Sequence, residues 1–289
     1  FDTNFQADVT LAQFRQAAYR AQQVRLQLAG SVGGTPAQGT LRITPDAQLT
    51  AKNTHWRGGA TGPLRIHTGG PIANAYTPER LLFPLMQLDV GPVSIVQGRD
   101  SYSVMQAQLR LREGSVELAA PDAASVQIAV DISGVSAPAG PYRIQPFDLQ
   151  LHLNAAQRVL RGNWSLHAAR DLFTIRGTLR HSLANGGGEA TATLPALAFK
   201  ENGRYLPALF SAWPHPFDLS GGELEFAAHA RWQPQKLAAT LNLNLRDVSG
   251  FYDLNLFKGL SPAMRIDYDN GVLQMPATPL TLAEVDAGI

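Results

Sequence analysis

Seven histidines are the residues of this sequence best suited to bind a metal ion or to act as acid–base catalysts. They are His55, His67, His152, His167, His181, His215 and His229. No two of them form a His-x-His pair or a His-Glu-x-x-His motif, the spacings that bring two imidazoles to one metal ion. His152, His167 and His229 instead fall within segments where apolar and polar residues alternate, which predicts solvent-facing positions on strands. The histidines therefore predict no metal site.

Other arrangements of catalytic residues are missing as well. No Gly-x-Ser-x-Gly elbow occurs, and the Gly186–Gly188 run lacks the Lys-Ser/Thr of a phosphate loop. Asp267, Asp269 and Asn270 lack the spaced glutamate of a calcium loop. Two carboxylates for glycoside hydrolysis can lie far apart in a chain, but sugar sites offer aromatic platforms and aromatic residues make up only 8% here. We therefore predict no catalytic residues, no cofactor and no enzyme activity.

Composition narrows the class of protein further. The 289 residues include no cysteine, which excludes disulfides and suits a bacterial periplasm, where stray thiols are oxidised. The 24 Lys and Arg balance 23 Asp and Glu, and the arginines are spaced singly rather than clustered, which argues against nucleic-acid binding. No apolar run reaches the ~18 residues of a membrane span. The chain opens at Phe1 and ends within an alternating segment, so we expect a soluble piece of a longer protein.

Alternation of apolar and polar residues is the main structural signal of the sequence. A period of two places one set of side chains on one face of a strand and the intervening set on the other. The intervening residues, such as Gln127, His152 and Asn242, are polar, which is typical of antiparallel sheets with one wetted face. The apolar residues predicted to line a continuous surface are Val126, Ile128, Val130, Ile132, Leu149, Leu151, Leu153, Leu241, Leu243 and Leu245.

Turn signals separate the alternating segments at short intervals. Asn270-Gly271 between two such segments is the strongest of them, because this dipeptide favours a two-residue hairpin. Strands joined directly leave no room for the helical crossovers of a parallel sheet. The sequence therefore predicts a mainly β protein, a long antiparallel sheet with a few short helices.

Three segments carry helix signals. Leu11–Gln23 has good helix formers behind a Thr10 cap, Pro78–Leu82 begins with a proline, and Leu206–Trp213 has Pro207 in its first turn. On this basis we predict a helical lead-in over residues 1–23 and a β body over 24–216. A C-terminal β region follows over 217–289, cut off within its last strand.

Two architectures satisfy this alternation. In a β-sandwich the apolar faces of two sheets bury each other. In a single curled sheet the apolar face stays open as a trough that can hold lipid tails. Burial of ~16 methylenes at ~0.8 kcal/mol each would contribute roughly 12 kcal/mol, enough to hold an acyl chain without a specific polar contact. Periodicity alone does not separate the two.

Short glycine-centred motifs carry a resemblance to a known family. They are Phe217-Asp-Leu-Ser-Gly-Gly-Glu-Leu224, Leu245-Arg-Asp-Val-Ser-Gly-Phe-Tyr252, Phe257-Lys-Gly-Leu260 and Leu280-Thr-Leu-Ala-Glu-Val-Asp-Ala-Gly-Ile289. From about residue 217 onward the chain resembles the C-terminal region of the YdbH family, which is similar to TamB and YhdP, AsmA-like proteins of Gram-negative bacteria. The region is also labelled dicarboxylate transport in that family. A dicarboxylate, however, needs a cluster of cations, whereas the arginines here alternate outward.

The resemblance implies the open-trough architecture, a curled sheet with a hydrophobic groove (a β-taco) lined by the ten apolar residues named above. It also implies a periplasmic bridge, anchored in the inner membrane, that carries phospholipids between the inner and outer membranes. The implied partner is a small outer-membrane lipoprotein, YnbE-like, that extends the sheet at an edge strand containing Leu280, Leu282 and Val285. The alternative is an envelope scaffold, a closed sandwich that binds protein through loops or edges.

Overall fold

The computed structural model describes residues 1–70, 80–120, 124–139, 142–169, 172–201, 205–211, 213, 215–279 and 281–287. Strands account for most of them. The strands are β1 (Asp2–Gln16), β2 (Tyr19–Thr35), β3 (Thr40–Ala51), β4 (Asn53–Trp56), β5 (Gly59–Thr61), β6 (Leu64–Gly69), β7 (Arg80–Val90), β8 (Val93–Gln97), β9 (Asp100–Val104), β10 (Gln106–Glu117), β11 (Ser125–Val135), β12 (Pro138–Ala139), β13 (Tyr142–Ile144), β14 (Phe147–Ala156), β15 (Val159–Ala168), β16 (Phe173–Ser182), β17 (Gly188–Ala198), β18 (Phe210–Ser211), β19 (Phe217–Gln233), β20 (Lys236–Tyr252), β21 (Asn255–Leu260), β22 (Ala263–Asp269), β23 (Val272–Gln274) and β24 (Glu284–Ala287). A 3₁₀ turn (Pro36–Gln38) and one short helix, α1 (Leu206–Leu209), complete the described elements.

Within the described residues, 21 strands belong to one sheet, and β12, β13 and β18 form a second, three-stranded one. Neighbouring strands run antiparallel wherever their register is defined, as between β2 and β3 or between β19 and β20. The predicted fold class, mainly β with a large antiparallel sheet and few helices, is confirmed. No described helix has the length and apolar character needed to cross a bilayer.

The chain divides into two compact units. The first comprises Phe1–Val135 with Asp148–Gly162, and the second Ser136–Phe147 with Asn163–Ile289. The division predicted at residue 216 falls inside the second unit, where β19 pairs with β17 through contacts such as Leu194↔Phe226.

Seven strands of the first unit follow one another by hydrogen bonding in the order β1, β2, β3, β6, β7, β10 and β11. The N-terminal end of β2 pairs instead with β4, and the ladder continues through β5 and β8 to β9. Strands β1 and β2 run through without a break, whereas beyond them the strands are interrupted at the same level, between β3 and β4, β5 and β6, β7 and β8, and β9 and β10. We call this line of interruptions the crease.

Two Gly-Pro dipeptides meet at the crease. The Gly62 amide donates to the Pro92 carbonyl at 2.7 Å, and the Gly91 amide donates to the Pro63 carbonyl at 2.7 Å. Proline cannot donate to a ladder, so its place is at such irregular points. The glycines are needed because the prolines lie so close: a Cβ on Gly91 would come within 2.8 Å of Pro63 Cδ.

The second unit pairs β16, β17, β19, β20, β22 and β23 in sequence, and the C-terminal end of β20 pairs with β21, which pairs with β24. A closed hydrophobic cluster lies in this unit. Its buried members are Ala168, Phe173, Leu194, Phe199, Tyr205 and Val248.

The helix predicted over Leu11–Gln23 is wrong. This segment forms most of β1 and the start of β2, joined by a tight turn in which Ala17 has a φ of 49°. Its helix formers lie opposite one another in an antiparallel ladder, with Leu11 facing Val24 and Phe14 facing Ala21. Tertiary pairing along the whole hairpin therefore overrides the helix propensity of the individual residues.

The other two predicted helices have different outcomes. Of Pro78–Leu82, Leu81 and Leu82 belong to strand β7, and residues 78 and 79 lie outside the described part. Of the described residues in Leu206–Trp213, only Leu206–Leu209 are helical, with Pro207 in the first turn. Phe210 then becomes extended and pairs with Ile144 in the small sheet, which ends the helix.

Candidate functional site

Residues directly opposite one another in an antiparallel sheet share a face, and in the first unit they form apolar rows that cross seven strands. The central row runs from β1 to β11 through Val9, Leu26, Leu49, Ile66, Leu88, Leu109 and Val130. Every member is aliphatic. At about 4.8 Å between strands, the six intervals of the row span roughly 29 Å.

Two further rows flank the central one on the same face. The first is Ala7, Leu28, Ala47, Thr68, Met86, Leu111 and Ile128, and the second contains Leu11, Val24, Leu64, Val90, Ala107 and Ile132. The three rows together make the surface that we call the apolar face of the first unit.

The opposite side of the same strands is polar. Its matching row runs through Asp8, Gln27, Gln48, His67, Gln87 and Arg110. His67 Nε2 lies 3.0 Å from Asp46 Oδ1 on this side, and the Gln87 amide donates to Asp89 Oδ2 at 2.9 Å. The polar groups therefore satisfy one another or meet water, and the sheet is amphipathic over its full width.

The electrostatics of the polar side come from local ion pairs. Arg25 Nε donates to Asp8 Oδ1 at 3.0 Å, and this hydrogen bond holds the pKa of Asp8 below its ordinary value. In the second unit, Arg265 and the Thr240 hydroxyl act on Asp267 in the same way and lower its pKa. These pairs are solvent-exposed, so they contribute little to stability and mark the wetted side of each sheet.

The apolar face of the first unit is not covered by any described segment of that unit. Ala51 is its only buried hydrophobic residue among those described, whereas a face sealed by a second sheet would bury the centre of every row. Val9 is 49% exposed, Leu11 44% and Met86 37%. Exposed apolar surface of this extent marks an interaction or ligand-binding site.

A concave pocket of about 410 Å³ lies on this face between β1, β2, β3 and β6. Its lining residues are Val9, Leu11, Phe14, Tyr19, Arg20, Ala21, Val24, Leu26, Leu49, Ala51, Thr54 and Leu64. Arg20 is the one charged residue in this lining. The Thr54 hydroxyl is buried, and within the described chain it has no hydrogen-bond partner.

Four of the predicted lining residues join this surface. Ile128, Val130 and Ile132 of β11 lie opposite Leu111, Leu109 and Ala107, and Val126 precedes them on the same alternation. All four are half-buried, as expected for side chains that pack sideways within a sheet but have no layer above them.

The remaining six predicted residues lie on β14 and β20. Leu149, Leu151 and Leu153 of β14 are half-buried, and they alternate with the exposed Gln150 and His152. The other three, Leu241, Leu243 and Leu245 of β20, are also half-buried but belong to the second unit, so they are placed in a different compact body from Val126–Ile132. The prediction that all ten line one continuous groove stays a prediction.

The apolar face of the second unit is built in the same way. One row contains Leu194, Phe226, Leu243 and Met264, and the next contains Ala192, Ala228, Leu241 and Ile266. Part of this face is covered by the chain itself. Tyr205 and Leu209 pack in one cluster with Leu194 and Phe226. We call residues Tyr205–Ser211 the strap.

A buried carboxylate anchors the strap to the sheet. Asp218, only 3% exposed, accepts hydrogen bonds from the amides of Tyr205 at 3.1 Å, Leu206 at 3.1 Å and Leu219 at 2.9 Å. The Tyr205 hydroxyl in turn accepts from the Lys200 amide at 2.6 Å. The second unit thus has a sealed hydrophobic core where the first unit has an uncovered face.

The predicted partner strand lies at the edge of the second unit. Val285 belongs to β24, opposite Phe257 of β21, and is 61% exposed. Leu282 precedes the strand and is 47% exposed, while Leu280 lies outside the described residues. Among the described pairings β24 has β21 as its neighbour on one side only.

Sequence reasoning missed most of the rows that build the apolar face. Leu26, Leu49, Ile66, Leu88 and Leu109 all sit in alternating segments, so each could be placed on a strand from sequence. The signal that joins them is cross-strand register, which one sequence does not show. No cluster of three or more His, Cys, Asp or Glu side chains suited to a metal ion occurs in the described part of the chain.

The first unit is thus an amphipathic antiparallel sheet with an uncovered aliphatic face. A comparison with family models gives the particular family. The model for YdbH-like proteins, described as "Intermembrane phospholipid transport protein YdbH", matches residues 2–289. The chain therefore belongs to the YdbH-like family, and the likeness extends well beyond the C-terminal quarter that carries the recognisable motifs. No curated protein and no solved structure matched the chain.

Proposed function

We propose that this chain is a non-enzymatic segment of a bridge that carries phospholipids between the inner and outer membranes, with acyl tails lying on its apolar face. The family is one of intermembrane phospholipid transport, and the conduit role of this segment is our inference. The observation that carries it is the uncovered row from Val9 to Val130, seven aliphatic side chains in register with no described layer of the first unit above them.

The dimensions of this face suit a phospholipid tail. Half of a ~30 Å hydrocarbon core gives a tail about 15 Å long, and the rows extend roughly 29 Å across the strands. Transfer of ~16 methylenes onto such a surface is favourable by up to roughly 12 kcal/mol if each is fully buried. An open face buries only one side of the tail. Binding is therefore strong enough to remove the tail from water and weak enough to let the lipid be released.

The setting of the protein follows from the same proposal. We infer that the chain works in the periplasm of a Gram-negative bacterium, within a longer protein anchored in the inner membrane. Its absence of cysteine suits that compartment. We further infer that a small outer-membrane lipoprotein adds a strand beside β24, where exposed Leu282 and Val285 border an edge that has no second neighbour among the described pairings.

Lipid extraction followed by mass spectrometry of the purified chain tests the proposal. Wild-type protein should carry phospholipid, and the double variant Leu88→Gln/Leu109→Gln should carry several-fold less, because two amides at the centre of the row disfavour contact with a tail. Arg65→Gln, on the polar side of the neighbouring strand β6, is the matched control and should keep its lipid.

Two outcomes would count against the conduit. Wild-type protein free of lipid, together with a protein partner bound through loops or edges, would favour the scaffold alternative. Equal lipid content in wild type and the double variant would show that the lipid binds somewhere other than the apolar face.

A further inference from the structure

Three hairpin turns of the first unit lie side by side at one end of its strands. They join Gln16 to Tyr19, Trp56 to Gly59 and Gln97 to Asp100. The register aligns them, because Arg20 lies opposite His55, and Gly59 lies opposite Ile95. We call the end formed by these turns and the residues that flank them the turn rim.

The turn rim concentrates positive charge. Arg15, Arg20, Arg57 and Arg99 are all exposed there, and Asp100 is the one carboxylate among residues 13–22, 53–60 and 95–102. None of these four guanidinium groups pairs with a carboxylate in the described part of the chain. Arginines without a carboxylate partner also occur elsewhere among the described residues of the first unit, as at Arg42 and Arg65, but the turn rim brings four of them to one end of the strands.

Two of these arginines stand directly opposite each other. Arg15 and Arg20 are register partners in the β1–β2 hairpin, and His55 is the next residue in the same row. Like charges in directly opposite positions destabilise an antiparallel pair. This arrangement costs stability when the rim is empty, and an anion bound between the cations would offset that cost.

The charged rim borders the apolar pocket. Arg20 lines the pocket together with Tyr19 at the rim end, while Leu26 and Leu49 line it further along the strands. Tyr19 is 57% exposed and Tyr102 is 36% exposed. Tyrosine and arginine at the boundary between an apolar surface and water are typical of protein surfaces in contact with lipid headgroups.

We propose that the turn rim binds the phosphate of a phospholipid whose acyl tail lies in the adjoining pocket. Arg20 and Arg57 provide the guanidinium forks, which match phosphate oxygens in bidentate geometry. The partnerless Thr54 hydroxyl, buried in the pocket wall, donates a hydrogen bond to an oxygen of the lipid where headgroup and tail join. This inference rests on the proposed function and adds to it the headgroup chemistry that the chain recognises.

Binding of tail-labelled fluorescent lipids to the purified chain tests this assignment. Two probes with the same tails are compared, phosphatidylglycerol and diacylglycerol, which differ in the phosphate headgroup. The test variant is Arg20→Gln/Arg57→Gln, and the control is Arg42→Gln/Arg65→Gln, which removes the same charge from exposed polar-side positions away from the rim. Loss of one of two like charges in register should not impair folding.

Wild-type protein should bind phosphatidylglycerol roughly tenfold more tightly than diacylglycerol, since each exposed charge pair contributes about two- to fivefold in affinity. The preference should shrink as salt is raised. The rim variant should lose most of this preference while its diacylglycerol affinity stays within about twofold, and the control variant should keep it. Thr54→Val should weaken phosphatidylglycerol binding by about two- to fivefold.

The outcomes separate the rim from the apolar face. If wild-type protein binds both lipids with equal affinity, or if the rim and control variants lose the preference alike, the rim assignment is overturned and the proposed function stands. If neither lipid binds, the proposed function itself fails. If the rim variant changes only adhesion to phosphatidylglycerol vesicles and leaves the binding of single lipids unchanged, a membrane surface is the partner and the headgroup assignment is wrong.

Discussion

Replacement of Leu109 by alanine should destabilise the first unit far less than a leucine-to-alanine change in a protein core. Leu109 lies at the centre of the apolar face, between Leu88 and Val130, and it is half-buried. Its natural counterpart is Leu194, which occupies an equivalent central position in the second unit but is only 5% exposed under the strap. The two substitutions remove the same atoms from an uncovered face and from a sealed core.

The expected magnitudes follow from burial. Full burial of a leucine is worth about 1.5–3 kcal/mol, and roughly half of that applies to a half-buried side chain, so Leu109→Ala should lower the free energy of unfolding by about 1 kcal/mol. No cavity forms, because no layer lies above the residue. Leu194→Ala leaves a cavity in a closed cluster and should cost about 2–5 kcal/mol.

Amide hydrogen exchange in increasing urea, followed by mass spectrometry, measures the two losses separately. Peptides from β7, β10 and β11 report on Leu109→Ala, and peptides from β17, β19 and β20 report on Leu194→Ala. The measurement should be made on lipid-free protein, since a ligand that binds the folded state stabilises it. Equal losses of more than about 3 kcal/mol at both positions would show that the apolar face is sealed and would refute the reasoning.

Four further predictions concern the strap, the crease, the polar side and the edge. Asp218→Ala should lower the free energy of unfolding by about 3 kcal/mol or more, since it leaves the buried Tyr205 amide and the half-buried Leu206 and Leu219 amides without this acceptor. The loss should appear as faster amide exchange in the strap, and unchanged exchange there would contradict the anchor. Gly91→Ala should lower the free energy of unfolding, measured by urea denaturation, by about 1–3 kcal/mol because its Cβ would overlap Pro63. Gly69→Ala is the control. Its Cβ would have no neighbour nearer than 3.7 Å, so this change should be close to neutral. The Asp8–Arg25 pair should make its full contribution to stability above the ordinary aspartate pKa of about 3.9 and lose it as pH falls through the lowered pKa. NMR titration of the Asp8 carboxyl should give a higher midpoint in Arg25→Gln than in wild type. A midpoint unmoved by that change would disprove the cause. Val285→Pro should abolish capture of the outer-membrane lipoprotein while Val272→Pro in β23 preserves it, and capture that survives Val285→Pro would rule out β24 as the docking edge.

Much of the local structure of this chain follows from local sequence. The alternation over Val126–Ile132 predicts a strand and its two faces, and β11 has both. Asn270-Gly271 predicts a two-residue hairpin, and both residues have positive φ between the paired Asp269 and Val272. These features are predictable because their causes, side-chain period and turn stereochemistry, act within a few residues.

The features that position the candidate site depend on long-range pairing. Leu11–Gln23 has the composition of a helix, and only its partner strand makes it a hairpin. The Gly-Pro pairs at residues 62–63 and 91–92 are visible in the sequence, yet their reciprocal hydrogen bonds require β5 and β8 to be neighbours. The difference between an uncovered and a sealed apolar face depends on whether a strap crosses it, as Asp218 allows in the second unit.

The central claim is that the apolar face is occupied by lipid tails. Its most direct test is photo-crosslinking in living cells, with a photoreactive residue placed in the full-length protein at Ile128 and, for comparison, at the adjacent polar position Gln127, which is exposed on the other face. The account predicts phospholipid adducts from Ile128 and none from Gln127. Adducts absent from both positions, or equally frequent at both, would contradict it.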